Sequence, residues 1–505
     1  MRRCLLLCLI IFLTVVITPI KGQSMEFVPT EIKVGLFYNG SARSSYCLYS
    51  DNGFRVGFKT QQDSITVMDF SDTLLEVYSA DLTDFASKKN SIKDKRDALE
   101  YATQLAQDNV ESYLFFDGSW SVWVKVSNKN KSSNGIGLIS VKGNTKGPGL
   151  VLPCTMERPV FLTSNDPAGL IAIEGRRYRG MLEMTQAGKG NIQVVNELGL
   201  EEYLYGVIPK EVPPNWHEEV LKAQAVAART YTVANLSKWQ KYGFDIGANS
   251  GDQVYGGYDA ENARTNKAVN ETKGQIIFYD GKPITAFYHA DSGGRTEACK
   301  DVFGSDLPYL QSTHDIFNAN SPHSRWEISL SAADISERAK SVVQYIGEIR
   351  EISIIERSLA GRVKKILLKG SQGETIIENS QIRNIFQLKS NFFDVFGGTS
   401  ITVVSISGDQ INRDIQLKGN NIITGEGEAN FSNEYVSILG AETSKIIRPQ
   451  AISNTYIIRG RGYGHGVGMS QWGAKVMAEN GYNYMEILLH YYKNVEIKII
   501  SNEAF

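Results

Sequence analysis

Little in the 505-residue chain marks it for nucleic acid, for a metal or for a disulfide scaffold. Lysine and arginine total 53 against 55 aspartates and glutamates, a formal net charge of −2. No basic run is long enough to track a phosphate backbone, which argues against a nucleic-acid partner. Cysteine is scarce: of five, Cys4 and Cys8 fall in the first apolar run, and Cys47, Cys154 and Cys299 are far apart. So scattered a set makes neither a disulfide framework nor a zinc knuckle, and leaves room for one bridge. H-E-x-x-H is absent, which removes the commonest metalloprotease pattern, and no G-x-S-x-G surrounds Ser292. Beyond residue 23 no stretch is long and apolar enough to cross a bilayer.

What is present begins with MRRCLLLCLIIFLTVVITPIKGQS. Arg2 and Arg3 precede an apolar run over residues 4–17, and small or polar residues follow by Gly22. This is the pattern of an export signal with cleavage near Gly22, or of an uncleaved anchor slightly short of a full span. Residues 1–23 are therefore set aside as a signal peptide or membrane anchor, and the rest is expected to work outside the cytoplasm. Its length exceeds what one core usually organises, so two or three domains are expected. The 42% hydrophobic and 21% charged content is that of an ordinary globular protein.

Residues 32–40 (IKVGLFYNG) alternate apolar and polar and end in Asn-Gly, a strand entering a turn. Between 91 and 126, Ala98, Tyr101, Ala102, Leu105 and Ala106 repeat at helical spacing, and the strand WSVWVKV follows. This helix-then-strand unit resembles a sporulation-related repeat, a small peptidoglycan-binding fold. SNKNKSSNG (127–135) is a loop or linker, and a domain boundary is expected between it and Ala168. After short strand-like runs over 169–200, Pro213 and Pro214 stop the upstream chain. Asn215 is placed to cap a helix, with Glu218 three residues on and the end at Gly243. Small residues at 223, 225, 227 and 228 lie beside Val220, Leu221 and Tyr231, a close-packing face on which Lys222, Gln224, Arg229 and Thr230 are the polar exceptions. Residues 275–294 read as a hairpin turning at Asp280-Gly281 and delivering Tyr288 and His289 into the loop Asp291, Ser292, Gly293, Gly294. From about 321 to 447 the chain turns strand-rich and polar, as an inserted or appended subdomain does. It closes with two short helices broken at Gly481, the second presenting Ile487, Leu488, Tyr491 and Tyr492. The fold class expected is α+β: a small N-terminal α/β region over 24–165, and a strand-rich catalytic domain over 166–505 with a few helices and the β-rich insertion.

Two features carry chemistry. In RGRGYGHGVGMSQWGA (459–474) glycine occupies 460, 462, 464, 466 and 468. If extended, this segment bares one face and sets Arg461, Tyr463, His465 and Val467 on the other. The bare face then meets something flat, either a ligand or a neighbouring segment of the core. The glycines fit neither G-x-G-x-x-G nor the P-loop, so nucleotide binding is unsupported. The second feature is Glu211, flanked by Val212, Pro213 and Trp216. Apolar surroundings disfavour a charged carboxylate and suit a general acid, whereas a solvated glutamate near a helix start is the plainer alternative. An ordinary glycosidase needs two carboxylates, and no partner is evident nearby, which points to a single acid/base or to no chemistry. His289, Cys299 and His314 are ligand types within one stretch but at no common zinc spacing, so no cofactor is assigned, with zinc as the minor alternative. Tyr255, Tyr288, Trp216, Trp472 and Tyr491 recur beside these segments, and aromatic faces with small polar groups between them suit sugar rings.

Three segments, YLYGVIPKEVPPNWHEEVLKAQAVAARTYT, AFYHADSGGRT and GRGYGHGVGMSQWGAKVMAENGYNYMEILLHYY, together resemble the stage II sporulation protein D/LytB family. GRVKKILLKGSQGETIIENSQIRNIFQLKSNFF is similar to the family's middle section. The resemblance implies a cell-wall protein acting on peptidoglycan glycan strands. Sporulation members are lytic transglycosylases of peptide-stripped chains that work beside an amidase and a membrane partner; relatives named after LytB enhance an amidase. The family's catalytic glutamate falls on Glu211. The expected mechanism has Glu211 protonate the oxygen leaving N-acetylmuramic acid, then take the proton of that sugar's C6 hydroxyl as a 1,6-anhydro ring closes. Arg229 is expected to hold the lactyl carboxylate or orient Glu211. Tyr288, Ser292, Thr296, Arg461, His465 and Gln471 are expected to line the groove, with Lys222, Gln224, Thr230, Gly293 and Gly294 as further contacts. The competing class is a non-catalytic glycan-binding enhancer of an amidase.

Overall fold

A computed structural model describes residues 30–60, 63–126, 137–315, 321–340, 342–397 and 455–500, with the backbone of short strands between 400 and 447. Residues 1–23, expected as a signal peptide or membrane anchor, and 127–135, expected as a loop or linker, lie outside the described residues. The fold is α+β. Two sheets make the main body. One runs Ile246–Gly247, Glu31–Phe37, Asn191–Gly199, Met181–Ala187, Val160–Ser164, Phe54–Lys59, Ser64–Phe70. The other runs from Arg176–Tyr178 and Ile171–Ile173 through Ser45–Tyr49, Leu74–Ala80, Leu138–Gly143 and Gly149–Pro153 to Ser112–Phe116, Trp120–Lys125 and Phe85–Ile92.

Both sheets therefore cross the boundary expected between 127 and 168. Glu31–Phe37 lies antiparallel to Asn191–Gly199, and Ser45–Tyr49 pairs with Ile171–Ile173. Most of the buried apolar side chains of these sheets join one hydrophobic core reaching from Ile32 to Tyr492, and a smaller cluster of Ala80, Phe85, Tyr113, Leu138 and Val151 lies on the second sheet. Strand pairing of this kind is set by contacts distant in sequence, which local composition does not show. Helix α1 (Lys95–Gln107), with Asp94 accepting from the Arg96 N–H at 2.7 Å, buries Ala98, Ala102 and Ala106. It packs on the strands Ser112–Phe116 and Trp120–Lys125, and the unit is built into the second sheet.

Helix α2 (Leu200–Glu211) was not foreseen, because Gly206 and Pro209 lie inside it. Gly206 is needed there: a Cβ would sit 2.5 Å from the Tyr255 ring. Helix α3 (Glu218–Ala234) is capped by His217, whose Nδ1 accepts from the Glu219 N–H at 3.3 Å, and not by Asn215. It stops at Ala234, and Gly243 instead closes a short 3-10 turn at φ +78°. Along α3 the buried residues run unbroken from Ala223 to Val233, so no polar face exists to orient Gln224, Arg229 and Thr230 outward. Helix α4 (Ala263–Glu271) packs on α2 and α3.

The turn at Asp280-Gly281 has φ of +48° and +71°, the left-handed pair of a tight hairpin. Its return strand is only Lys282–Pro283. Farther on, Tyr288–His289 pairs in parallel with Met469–Ser470, and helix α5 (Cys299–Phe303) follows. Between those paired segments stands a second core, from Trp326 to Ile458. It combines the sheet Trp326–Ser331, Thr455–Gly460, Phe393–Gly397 with the sheet Ile349–Arg357, Val363–Gly370, Gly373–Glu378. Helices α6 (Ala332–Ala339) and α7 (Asn379–Phe386) bury Ile335, Ile382, Ile385 and Phe386 into it. Helices α8 (Gln471–Glu479) and α9 (Tyr484–Tyr491) then return to the main body, separated at Gly481.

Candidate functional site

Glu211 is the last residue of α2 and not part of a loop. Its carboxyl Oε1 accepts from the Val254 N–H at 3.1 Å. Burial pushes its pKa above the ordinary glutamate value, against the pull of that N–H and of Gln471 and Tyr288, which favour the ionised form. The carboxyl borders a cleft of about 630 Å³ that is also lined by Asp252, Val254, Tyr288, Tyr463, His465 and Gln471.

The polar wall is fixed by a saturated amide. Gln253 Nε2 donates to the Tyr288 hydroxyl at 3.1 Å and to the Ala228 carbonyl at 3.2 Å. Its Oε1 accepts from Thr232 at 2.8 Å and from Tyr203 at 3.1 Å. Because the Tyr288 oxygen already accepts, its proton is left to face Glu211. Burial, with the Glu211 charge adding to it, holds the Tyr288 hydroxyl protonated well beyond its usual range. Gln471, at the start of α8, donates to Gln224 Oε1 at 3.3 Å, so the buried Gln224 acts behind Gln471 and does not reach the cleft.

A second carboxylate, Asp252, also lines the cleft, and no motif had pointed to it. It is fully engaged: Trp239 Nε1 at 2.7 Å, the Gly247 N–H at 2.8 Å, Tyr231 at 3.3 Å and Lys238 all donate to it. Such a carboxylate is a brace and a poor nucleophile. The two histidines are neutral near pH 7. Burial pulls His465 down to about 4, with Arg383 adding to the shift, and its Nδ1 accepts from the Val467 N–H at 3.0 Å. His289, likewise lowered by burial, sets Nδ1 3.1 Å from the Val467 carbonyl.

The glycine-rich segment is not a strand. After Thr455–Gly460 the chain leaves the sheet, and Gly462, Gly464, Gly466 and Gly468 have φ of +80°, +107°, +84° and +73°. Alternating glycines satisfy a period of two and a repeated left-handed step equally well, so the sequence alone could not separate them. The bare side closes on the chain itself. A Cβ on Gly462 would lie 2.8 Å from the Asp291 carbonyl, and one on Gly468 would enter the Phe287 carbonyl oxygen. The ribbon is laced to the 287–297 segment, with Tyr463 N–H to Asp291 O at 2.8 Å and Glu297 N–H to Gly466 O at 2.7 Å. It is a wall of the cleft and not a bare floor.

Several expected contacts lie elsewhere. Arg229 has no exposed surface and pairs bidentately with Glu201 at 2.9 and 2.6 Å, so it neither holds a ligand nor orients Glu211. Lys222 is ion-paired with Glu219 and Glu271 at 3.1 and 3.0 Å. Thr230 donates to the Val226 carbonyl at 2.7 Å and accepts from the Ile277 N–H at 3.0 Å. Ser292 donates to Asp315 at 2.7 Å, Thr296 accepts from the Thr313 N–H at 2.8 Å, and Gly293 donates to Asp291 at 2.7 Å. With Gly294, whose N–H donates to Ser292 at 3.0 Å, they staple the loop together behind the cleft. Arg461 lies over the Phe392 ring at 3.8 Å, in a separate hollow with Trp326. Among the described residues no group of three or more His, Cys, Asp or Glu could hold a metal ion; Cys299 begins α5 and His314 bridges Arg295.

A family model described as stage II sporulation protein matches residues 188–279, the span of α2, Glu211 and α3. An uncharacterized protein of Brachyspira hyodysenteriae (strain ATCC 49526 / WA1) is 30% identical over 326 residues, 64% of this chain and 73% of that one. A Stage II sporulation protein D of Bacillus amyloliquefaciens is 29% identical over 321 residues, 60% of this chain and 75% of that one. The chain belongs to the stage II sporulation protein D/LytB family. Within this family it is also similar to an amidase enhancer of Bacillus subtilis (strain 168), 33% identical over 300 residues and 57% of this chain. The match spans only 39% of the enhancer's length. A second model, described as a domain of unknown function, matches residues 306–409 and overlaps the second core.

Proposed function

We propose that the protein serves the cell wall during sporulation, exported to the outer face of the membrane, and cuts peptide-stripped glycan strands as a lytic transglycosylase. The observation that carries the proposal is a single available carboxyl at the cleft, Glu211, held toward its neutral form by burial while Asp252 is saturated by donors. Glu211 gives its proton to the glycosidic oxygen leaving C1 of a muramyl residue. Tyr288 and Gln471 then stabilise the carboxylate left behind. That carboxylate takes the proton of the same sugar's C6 hydroxyl as its oxygen bonds to C1, closing the 1,6-anhydro ring. The proton account closes on one residue, and no water is consumed.

Glu211→Gln keeps the size and the Val254 bond but has no acidic proton. Release of anhydro ends from purified peptide-free strands should fall about 10²- to 10⁴-fold, the usual share of a general acid/base; unaltered release would remove Glu211 from the mechanism. The name of the amidase enhancer favours a second reading: a protein that grips glycan and stimulates a cell-wall amidase without cutting. It yields no anhydro ends by itself, and Glu211→Gln would leave its stimulation intact.

A further inference from the structure

Beside the main cleft lies a smaller hollow of about 210 Å³, lined by Arg383, Arg362, Lys364 and Asn391. Phe303, Gly464 and His465 border both hollows, so the two are neighbours across those residues. Most of the charges in it have partners, although the Arg362 Nε is enclosed without an acceptor. Lys364 is bound to Asp301 at 2.9 Å. Arg362 donates to the Ser292 carbonyl at 2.6 Å and the Arg295 carbonyl at 3.2 Å. Glu297 accepts from Ser358 and from the Ala298 N–H at 3.0 Å. Arg383, on α7, differs from Arg362 in lacking carbonyl acceptors as well: half-buried, its Nε is enclosed without an acceptor, and among the described residues no carboxylate pairs with it. It stands close enough to the cleft to act electrostatically on His465 and to be acted on by Tyr463.

An arginine enclosed without a counter-ion invites an anion, and the planar fork fits a carboxylate with two parallel bonds. We propose that Arg383 binds the free lactyl carboxylate of a muramyl residue in the strand that Glu211 cleaves. This rests on the transglycosylase reading of the cleft and adds a reason for its substrate. While a stem peptide is attached, that carboxyl is a neutral amide and cannot satisfy the guanidinium; once the peptide is removed, it can. The second core thus supplies the specificity, and the main body the acid.

The test compares two glycans on the full chain: peptide-free strands with free muramyl carboxylates, and the same strands with those carboxyls capped as methylamides. Binding and anhydro-end release are measured on each. The wild type should prefer the free acid about tenfold or more, the worth of a charge-assisted hydrogen bond. Arg383→Gln should lose that preference by weakening on the free acid alone, with the capped strand handled as before. Equal handling of the two strands by the wild type, or a preference surviving in Arg383→Gln, overturns the proposal. The first comparison uses the unaltered protein, so a misfolded variant does not blunt it. If the binding preference is seen but no anhydro ends appear, Arg383 stands and the enzymatic reading falls. If ends appear without preference, the reverse holds.

Discussion

Replacing Arg229 should cost fold stability and leave glycan recognition to others. Its guanidinium is enclosed and makes two bonds to Glu201, at 2.9 and 2.6 Å, and one to the Val269 carbonyl at 3.1 Å. Arg229→Met keeps most of the volume and removes every donor. Breaking a buried pair by deleting one partner costs about 3–5 kcal/mol, because the remaining charge and acceptors are left uncompensated. Glu201 keeps 19% of its side chain exposed and can rehydrate, which places the expectation near the lower end, about 3 kcal/mol. That is a large share of the roughly 5–15 kcal/mol that holds a typical domain together, and a urea unfolding midpoint will register it. Arg229→Met with Glu201→Met should cost less than the sum of the single changes, as expected for a contacting pair. A variant as stable as the wild type whose affinity for peptide-free glycan had fallen would refute this placement of Arg229.

Tyr288→Phe removes a group that lowers the pKa of Glu211, so that pKa should rise. Since the acid must be protonated, activity falls as pH rises through it, and the alkaline limb of the kcat/KM profile should move to higher pH; a limb moving down contradicts the assigned contact. Burial raises the Glu211 pKa, so its contribution to stability is present below the ordinary glutamate pKa and fades as pH rises through the raised value. The stability of Glu211→Gln relative to the wild type should therefore increase with pH, as denaturation at several pH values will tell. Asp252→Asn should destabilise by about 1–3 kcal/mol per donor left unmatched, yet reduce anhydro-end release far less than Glu211→Gln. Equal losses in a fully stable protein would mean a two-carboxylate mechanism. Gly468→Ala faces both left-handed backbone and the Phe287 carbonyl, about 2–5 kcal/mol, whereas Gly481→Ala, at φ +90° with open space around it, should cost about 1–2 kcal/mol. Similar melting temperatures for the two would show that the ribbon is not wedged against its neighbour.

What the sequence disclosed was local chemistry. Asp280-Gly281 named its own turn, Gly481 its own break, and Ala98, Ala102 and Ala106 their helix face. Glu211 was legible because its apolar sequence surroundings announced the burial that raises its pKa. Arg229 was misjudged because a helix buried on all sides gives no polar stripe to say which way a charge points. Asp252 was missed since its donors, Tyr231, Lys238, Trp239 and Gly247, form no motif. Arg383 lies on an amphipathic helix of the second core, and only the fold brings it beside His465. The interleaving of residues 31–70 with 160–199 follows from sheet pairing that no window of sequence contains.

The parallel pairing of Tyr288–His289 with Met469–Ser470 has a temporal consequence. Glu211, Val254 and Tyr288 are synthesised early, but Gln471, which with them bears on the Glu211 carboxyl, and the cleft-lining Tyr463 and His465 leave the ribosome only after the second core has been made. A nascent chain that ends inside the second core carries the acid and Tyr288 without the far side of the cleft. The cleft is thus completed only in the closing stage of synthesis, once the chain has been made through α8.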